Sequence, residues 1–176
     1  LGALSRPARV PRQGLPREAA LERPGAGLAP RDRGLAHAIA AAVIRWLPDL
    51  DELIDSATRN RLADDAKARM ALRIAIAQAL VLGTPGHAAI STVLPLVDGG
   101  PRKLVHGVFG TLMRKNVTLP DRPTLPYATI YRWQKNWGDV MLSAAQHAIA
   151  DQPPMDIATR GDGPLPGGVS LAPNHL

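Results

Sequence analysis

The chain has no cysteine among its 176 residues. That excludes disulfide stapling, thiolate zinc sites and a cysteine nucleophile together. Its histidines, His37, His87, His106, His147 and His175, are never closer than 19 residues apart, so no helical pair with zinc-binding spacing exists. Apolar runs are short. The best candidate, Met70 to Leu82, is interrupted by Arg73 and closed by Gly83, and it falls below the roughly 18 apolar residues that a membrane span needs. Arg6, Pro7, Arg9, Pro11 and Arg12 break up the N-terminal residues, leaving no apolar core of a signal peptide. No repeat of fixed period runs through the chain, and Ser91 and Thr92 have no adjacent base to make a nucleophile of either. A reducing cytoplasm is the expected location.

What is present is a modest, basic, proline-punctuated chain. Its length suits one ordinary domain with tails. Lys and Arg number 21 against 15 Asp and Glu, giving a net charge of +6 and a pI near 10.5. The surplus is uneven: +3 over residues 1–30, +4 over 31–115 and −1 over the remainder. Such a balance suits polyanionic partners. It suits solvated helix faces equally well.

The pattern of apolar residues predicts an all-α fold. Met70, Ile74, Ala77 and Val81 form one stripe at helical spacing, with Leu72, Ile76 and Leu80 on its flank. Only Arg73 and Gln78 are strongly polar in that stretch, which reads as the central helix of a helical core. Gly83 ends it and Thr84-Pro85-Gly86 turns the chain. A helix from His87 to Val97 follows, broken by Asp98-Gly99-Gly100-Pro101, and then another from Arg102 to Arg114. Upstream, Pro30 opens a helix whose stripe is Leu35, Ile39, Ala42, Val43 and Trp46, ending at Pro48. Asp49 is expected to cap a short helix burying Leu50, Leu53 and Ile54, and Asp64 or Asp65 to cap the central helix. Downstream, Pro120, Pro123 and Pro126 lead to a helical pair, Tyr127 to Trp137 and Asp139 to Ile149, hinged at Gly138. Residues 1–29 read as a loose basic tail with a helical turn possible at Pro16 to Leu21. Met155 to Thr159 alternates like a strand without a partner in this chain.

The order of these elements resembles the NusB-like helical domain at the N-terminus of bacterial small-subunit rRNA (cytosine-5) methyltransferases of the Sun type. The same fold occurs alone in the antitermination factor NusB. The resemblance spans roughly residues 27–160. It rests on Leu28-Ala-Pro-Arg-Asp32-Arg33, on Ile44-Arg45-Trp46-Leu47 with Leu50-Asp51-Glu52-Leu53-Ile54, and on Lys103-Leu104-Val105-His106-Gly107-Val108. Pro153-Pro154-Met155 is similar to the point at which the methyltransferases leave the helical domain for their first strand, an extension that free-standing NusB lacks. Two positions depart from the pattern: residues 1–15 show no helical period where a first helix is expected, and Gly110 stands where the family motif has Arg. The resemblance implies a tail over 1–29, a NusB-like RNA-binding domain over 30–152, and a linker with the start of a methyltransferase domain over 153–176. It further implies RNA, in particular rRNA, as partner, together with the catalytic half and a ribosomal or transcription protein, and no membrane.

Catalysis is not expected of this chain. Methyl transfer in the resembled family uses a cysteine thiolate and S-adenosylmethionine on a glycine-rich loop of a doubly wound sheet. The sequence has neither the cysteine nor a strand–glycine-loop–helix unit, so the cofactor is implied only for the catalytic half. Gly25-Ala-Gly27 and Gly161-Asp-Gly163 read as flexible loops. Asp49, Asp51, Glu52 and Asp55 read as helix-start and solvated-face carboxylates, and His106 as bordering the core. The candidate RNA-facing residues are cationic: Arg31, Arg33, Arg59, Arg61, Lys67, Arg69, Arg73, Arg102, Lys103, Arg114 and Lys115. Arg102 and Lys103 lead because a helix start exposes N–H groups that suit phosphate. Taken singly, each has the alternative reading of a solubilising surface charge. Trp133 and Trp137, one turn apart with Tyr127 and Tyr131 upstream, read first as an anchor packing the last helix onto the core, and second as a base-stacking surface. The functional expectation is an RNA-binding accessory domain; the alternatives are a protein–protein module and a free-standing antitermination factor.

Overall fold

The computed structural model describes residues 29–150, and these form an all-α bundle with no strand. Its helices are α1 (Pro30–Arg45), α2 (Leu47–Ser56), α3 (Lys67–Leu80), α4 (Gly86–Val93), α5 (Gly99–Arg114) and α6 (Tyr127–Ala150), with a 3-10 turn at Leu94–Leu96. The tail, the turn at Pro16 to Leu21 and the strand-like Met155 to Thr159 lie outside the described residues.

α3 is the axis of the bundle. Every residue from Ala71 to Gln78 is buried, and α1, α2, α4 and α5 all pack around it. Ala71, Ala75 and Ala77 let neighbouring helices approach closely, while Leu72, Ile74 and Ile76 fill the space between them. Ile39 and Val43 from α1, Leu50 and Ile54 from α2, Val93 from α4, and Val105, Phe109 and Leu112 from α5 complete the core. Burial of this kind supplies most of the stability of such a bundle.

Several boundaries differ from the sequence expectation. Pro48 does not end α1. It sits in the first turn of α2, where its fixed φ and missing N–H are harmless. Leu35, expected in the buried stripe of α1, is exposed, and Ala36 and Ala40 take the inner face with Ile39 and Val43. Neither Asp64 nor Asp65 caps α3; its N-cap is Ala66, without a side-chain bond. Asp49 lies in the first turn of α2, but its buried carboxylate accepts the Thr124 N–H at 3.0 Å. That bond ties the Pro-rich loop to the bundle beside the buried Pro123 and Leu125. α5 begins at Gly99, three residues before Arg102. Gly83 (φ 66) turns the chain after α3, and the Thr84 N–H closes the turn on the Gln78 carbonyl at 2.9 Å.

α6 stands apart. It buries none of its residues and breaks at Gly138 (φ 75, ψ 179), as the hinge expectation had it. Trp133 and Trp137 do meet edge-to-face, with ring centroids 5.9 Å apart. They do not anchor the helix, because Trp137 is 58% exposed.

Candidate nucleic-acid interface

The cationic residues separate into an interior group and a surface group. Arg69 and Arg73, expected to face RNA, are interior side chains. They lie one turn apart on α3, opposite Asp51 and Asp55, which lie one turn apart on α2. Arg69 is fully buried. Its guanidinium donates to Asp51 at 2.9 Å, to Asp55, and to the Leu62 carbonyl at 3.1 Å. Arg73 makes a two-pronged pair with Asp51, both bonds at 2.7 Å, and reaches the Asp64 carbonyl at 3.1 Å. Burial opposes the charge on Arg69, and the hydrogen bonds and field of Asp51 and Asp55 more than offset it, so its pKa lies above the ordinary guanidinium value. Asp51 and Asp55 are therefore counter-ions of a buried network and not solvated-face carboxylates. This network locks α2 onto α3 and is committed to structure.

Arg61 extends the network outward, pairing with Asp64 at 2.9 Å and Asp55 at 3.4 Å while two-thirds of its side chain stays exposed. Arg59 and Lys67 are exposed on the loop before α3 and at its first turn, and Arg31 and Arg33 are exposed at the start of α1.

α5 carries the most concentrated arrangement. Arg102 and Lys103 lie at its N-terminal end as its fourth and fifth residues, both exposed, and neither is ion-paired among the described residues. Arg114 and Lys115 sit at its other end, about 18 Å away along the axis. Arg114 donates to the Thr111 hydroxyl at 3.2 Å. Between the two basic ends the outer face of α5 is small: Gly107 and Gly110, with His106 beside them. A cleft of about 520 Å³ is lined by Arg102, Lys103, His106 and Gly107 together with Leu94 and Gly99. A second, of about 300 Å³, lies between α4 and α5, where His106 and His87 flank Ile90, Phe109 and Met113. His106 is exposed and shared by both clefts, so it does not border the core as expected. The detectable sequence signal was its position between two basic residues and two helix-interior glycines, which periodicity alone does not weigh.

The first turn of a helix presents unpaired N–H groups and the positive end of the helix dipole. With Arg102 and Lys103 added, this end of α5 can hold phosphate oxygens without reading a base. Among the described residues no group of three His, Asp or Glu side chains is placed to hold a metal ion, and no helix is long and apolar enough to cross a membrane.

Fold and surface together define an all-helical module with a basic, glycine-lined outer helix. Residues 10–113 match the NusB family model, and the chain belongs to the NusB family. Domains of that family bind RNA and partner proteins. The match begins inside the stretch expected as a tail and ends one residue before the last residue of α5, so α6 lies beyond it. Comparison with curated proteins and with solved structures found no match.

Proposed function

We propose that this chain is the RNA-binding accessory domain of an rRNA (cytosine-5) methyltransferase, holding substrate RNA while another part of the enzyme performs the chemistry. The observation that carries the RNA reading is the N-terminal end of α5, where Arg102 and Lys103 stand exposed beside a cleft and just past the unpaired N–H groups of the helix start. Support for the methyltransferase parent comes from the sequence: the Ile44 to Ile54 segment, the Lys103 to Val108 motif, and Pro153-Pro154-Met155 following the helical region. S-adenosylmethionine would be held by the catalytic half, as the resemblance to the methyltransferases implies.

The chain's own role is positional. Contacts from Arg102 and Lys103 to phosphate fix the register of the RNA and release counterions, so affinity falls steeply with salt. Fluorescence anisotropy with a short rRNA helix–loop, at about 50 and 200 mM salt, tests this. Arg102→Ala and Lys103→Ala should each weaken binding and lower the salt slope by about one. Unchanged affinity and slope in both variants would remove the α5 site.

A second reading, a protein–protein module, is favoured by α6. Tyr131, Trp137, Val140 and Met141 on that helix are exposed, Val140 to 86%. If this reading holds, Val140→Asp abolishes association with the catalytic half and leaves RNA affinity unchanged. A free-standing antitermination role accounts for the family match but not for Pro153-Pro154.

A further inference from the structure

We propose that residues 118–126 form a strap latched to the bundle by the carboxylate of Asp49, and that releasing this latch lengthens the tether carrying α6. The device stands independently of the RNA reading.

The chain leaves α5 at Arg114 and enters α6 at Tyr127. Val117 and Leu119 pack against the core on the way. Beyond them the hold is slight. Among the described residues, 118–125 make one hydrogen bond, in which the Thr124 N–H donates to Asp49 at 3.0 Å. Pro123 and Leu125, on either side of Thr124, are the buried residues of the strap, and Leu125 is buried apart from the core around α3. Pro120, Pro123 and Pro126 have no N–H to offer in its place. The acceptor has its own need of the bond. Asp49 is 4% exposed, and a carboxylate taken out of water requires donors. A bond to an ionised acceptor is also stronger than one between neutral groups.

Packing around the strap is open. A cleft of about 360 Å³ lies on one side, walled by Leu53 and Ser56 of α2. Another of about 420 Å³ lies on the other, walled by Trp46, Leu80 and Val81. Thr118, Leu119 and Pro120 line both, so the strap runs between two spaces. A segment with so little dense packing can lift without opening the core. α6 cannot hold it down, because α6 buries none of its residues. The place of α6 is therefore set at Thr124 and Leu125, just before Tyr127. With the latch open, the last attachment retreats six residues to Leu119. Extended chain covers about 3.4 Å per residue, so α6 gains up to about 20 Å of reach. It carries the exposed Tyr131, Trp137 and Val140 with it. Asp49 is thus a positioning residue for that apolar surface.

The full chain has no cysteine, which permits a direct test. Ser91→Cys on α4 and Asn136→Cys on α6, both exposed, take spin labels, and Asn136 precedes the break at Gly138. Pulsed dipolar spectroscopy should give one narrow distance distribution for this labelled parent. Asp49→Ala should broaden it, as should Thr124→Pro, which removes the donor instead of the acceptor; the added spread should reach up to about 20 Å. Asp49→Asn keeps an acceptor oxygen and should stay narrow. Exchange of the Thr124 N–H should quicken at least about tenfold in Asp49→Ala, while the amides of α3 stay as protected as in the parent. A parent distribution already as broad as the variants overturns the latch, and so does an unchanged width in both Asp49→Ala and Thr124→Pro. Equal broadening in Asp49→Asn and Asp49→Ala overturns it too, since the effect then belongs to the charge at the start of α2. Loss of α3 protection in both Asp49→Ala and Thr124→Pro would show that the bond holds the core and not a strap.

Discussion

A guanidinium with no exposed surface is tolerated only when anions and carbonyls meet it, and Asp51, Asp55 and the Leu62 carbonyl meet Arg69. Asp51 is the pivotal residue because it serves Arg69 and Arg73 together. Removing it strands two interior cations. Asp51→Ala should destabilise the fold by about 3 kcal/mol, at the lower end for a broken buried pair because the Asp51 side chain keeps 21% of its surface exposed. The unfolding free energy from urea titration checks this, and Asp64→Ala, at a carboxylate 71% exposed, should lower it by no more than about 0.5 kcal/mol. In the sequence Arg73 was visible as a charge inside an apolar run. Its role was not, because a basic residue on a helix reads identically whether it faces phosphate or a carboxylate of the same chain. The pairing of Asp51 and Asp55 with Arg69 and Arg73, each at a four-residue spacing, is the signal that could have revealed it.

At the scale of elements, glycines with opposite roles set the geometry. Gly83 takes φ 66 in the turn after α3, a conformation that costs an L side chain about 1–2 kcal/mol. Gly83→Ala should therefore destabilise by about 1 kcal/mol, whereas Gly107→Ala in the middle of α5 should stabilise by a similar amount; paired thermal melts distinguish the two. Helix identity was legible throughout, because the apolar period of α3 and the turn at Thr84-Pro85-Gly86 have no other reading. Helix starts were less legible. Proline and aspartate mark a first turn or a boundary with the same residue types, so Pro48 read as a stop although it begins α2. Likewise, the carboxylate of Asp64 bonds Arg61 and does not cap α3.

For the molecule as a whole, stability should be steeply graded. α3 is enclosed by four helices, and its amides should exchange only through global opening. α6 buries no residue and is interrupted at Gly138, so its amides should exchange through local opening at far lower free energy. Hydrogen exchange of the full chain checks this directly: equal protection in α3 and α6 would contradict it. The aromatic pair of α6 illustrates the difficulty at this scale. Trp133 and Trp137 at one-turn spacing imply a packed surface, and the two rings do pack on each other. Whether a third surface covers them depends on neighbours that spacing does not specify.

The sequence alone determined the helical class, the central position of α3, the hinge at Gly138 and the concentration of positive charge before residue 115. These follow from local propensity and periodicity, which act within a few turns of chain. Only the tertiary structure decided which cations are free. Arg69 and Arg73 are neutralised by carboxylates 14 to 22 positions away, while Arg102 and Lys103 remain on the surface beside a cleft formed where the 3-10 turn at Leu94 meets α5. Charge is a property of a residue, but its availability depends on what the fold places opposite it.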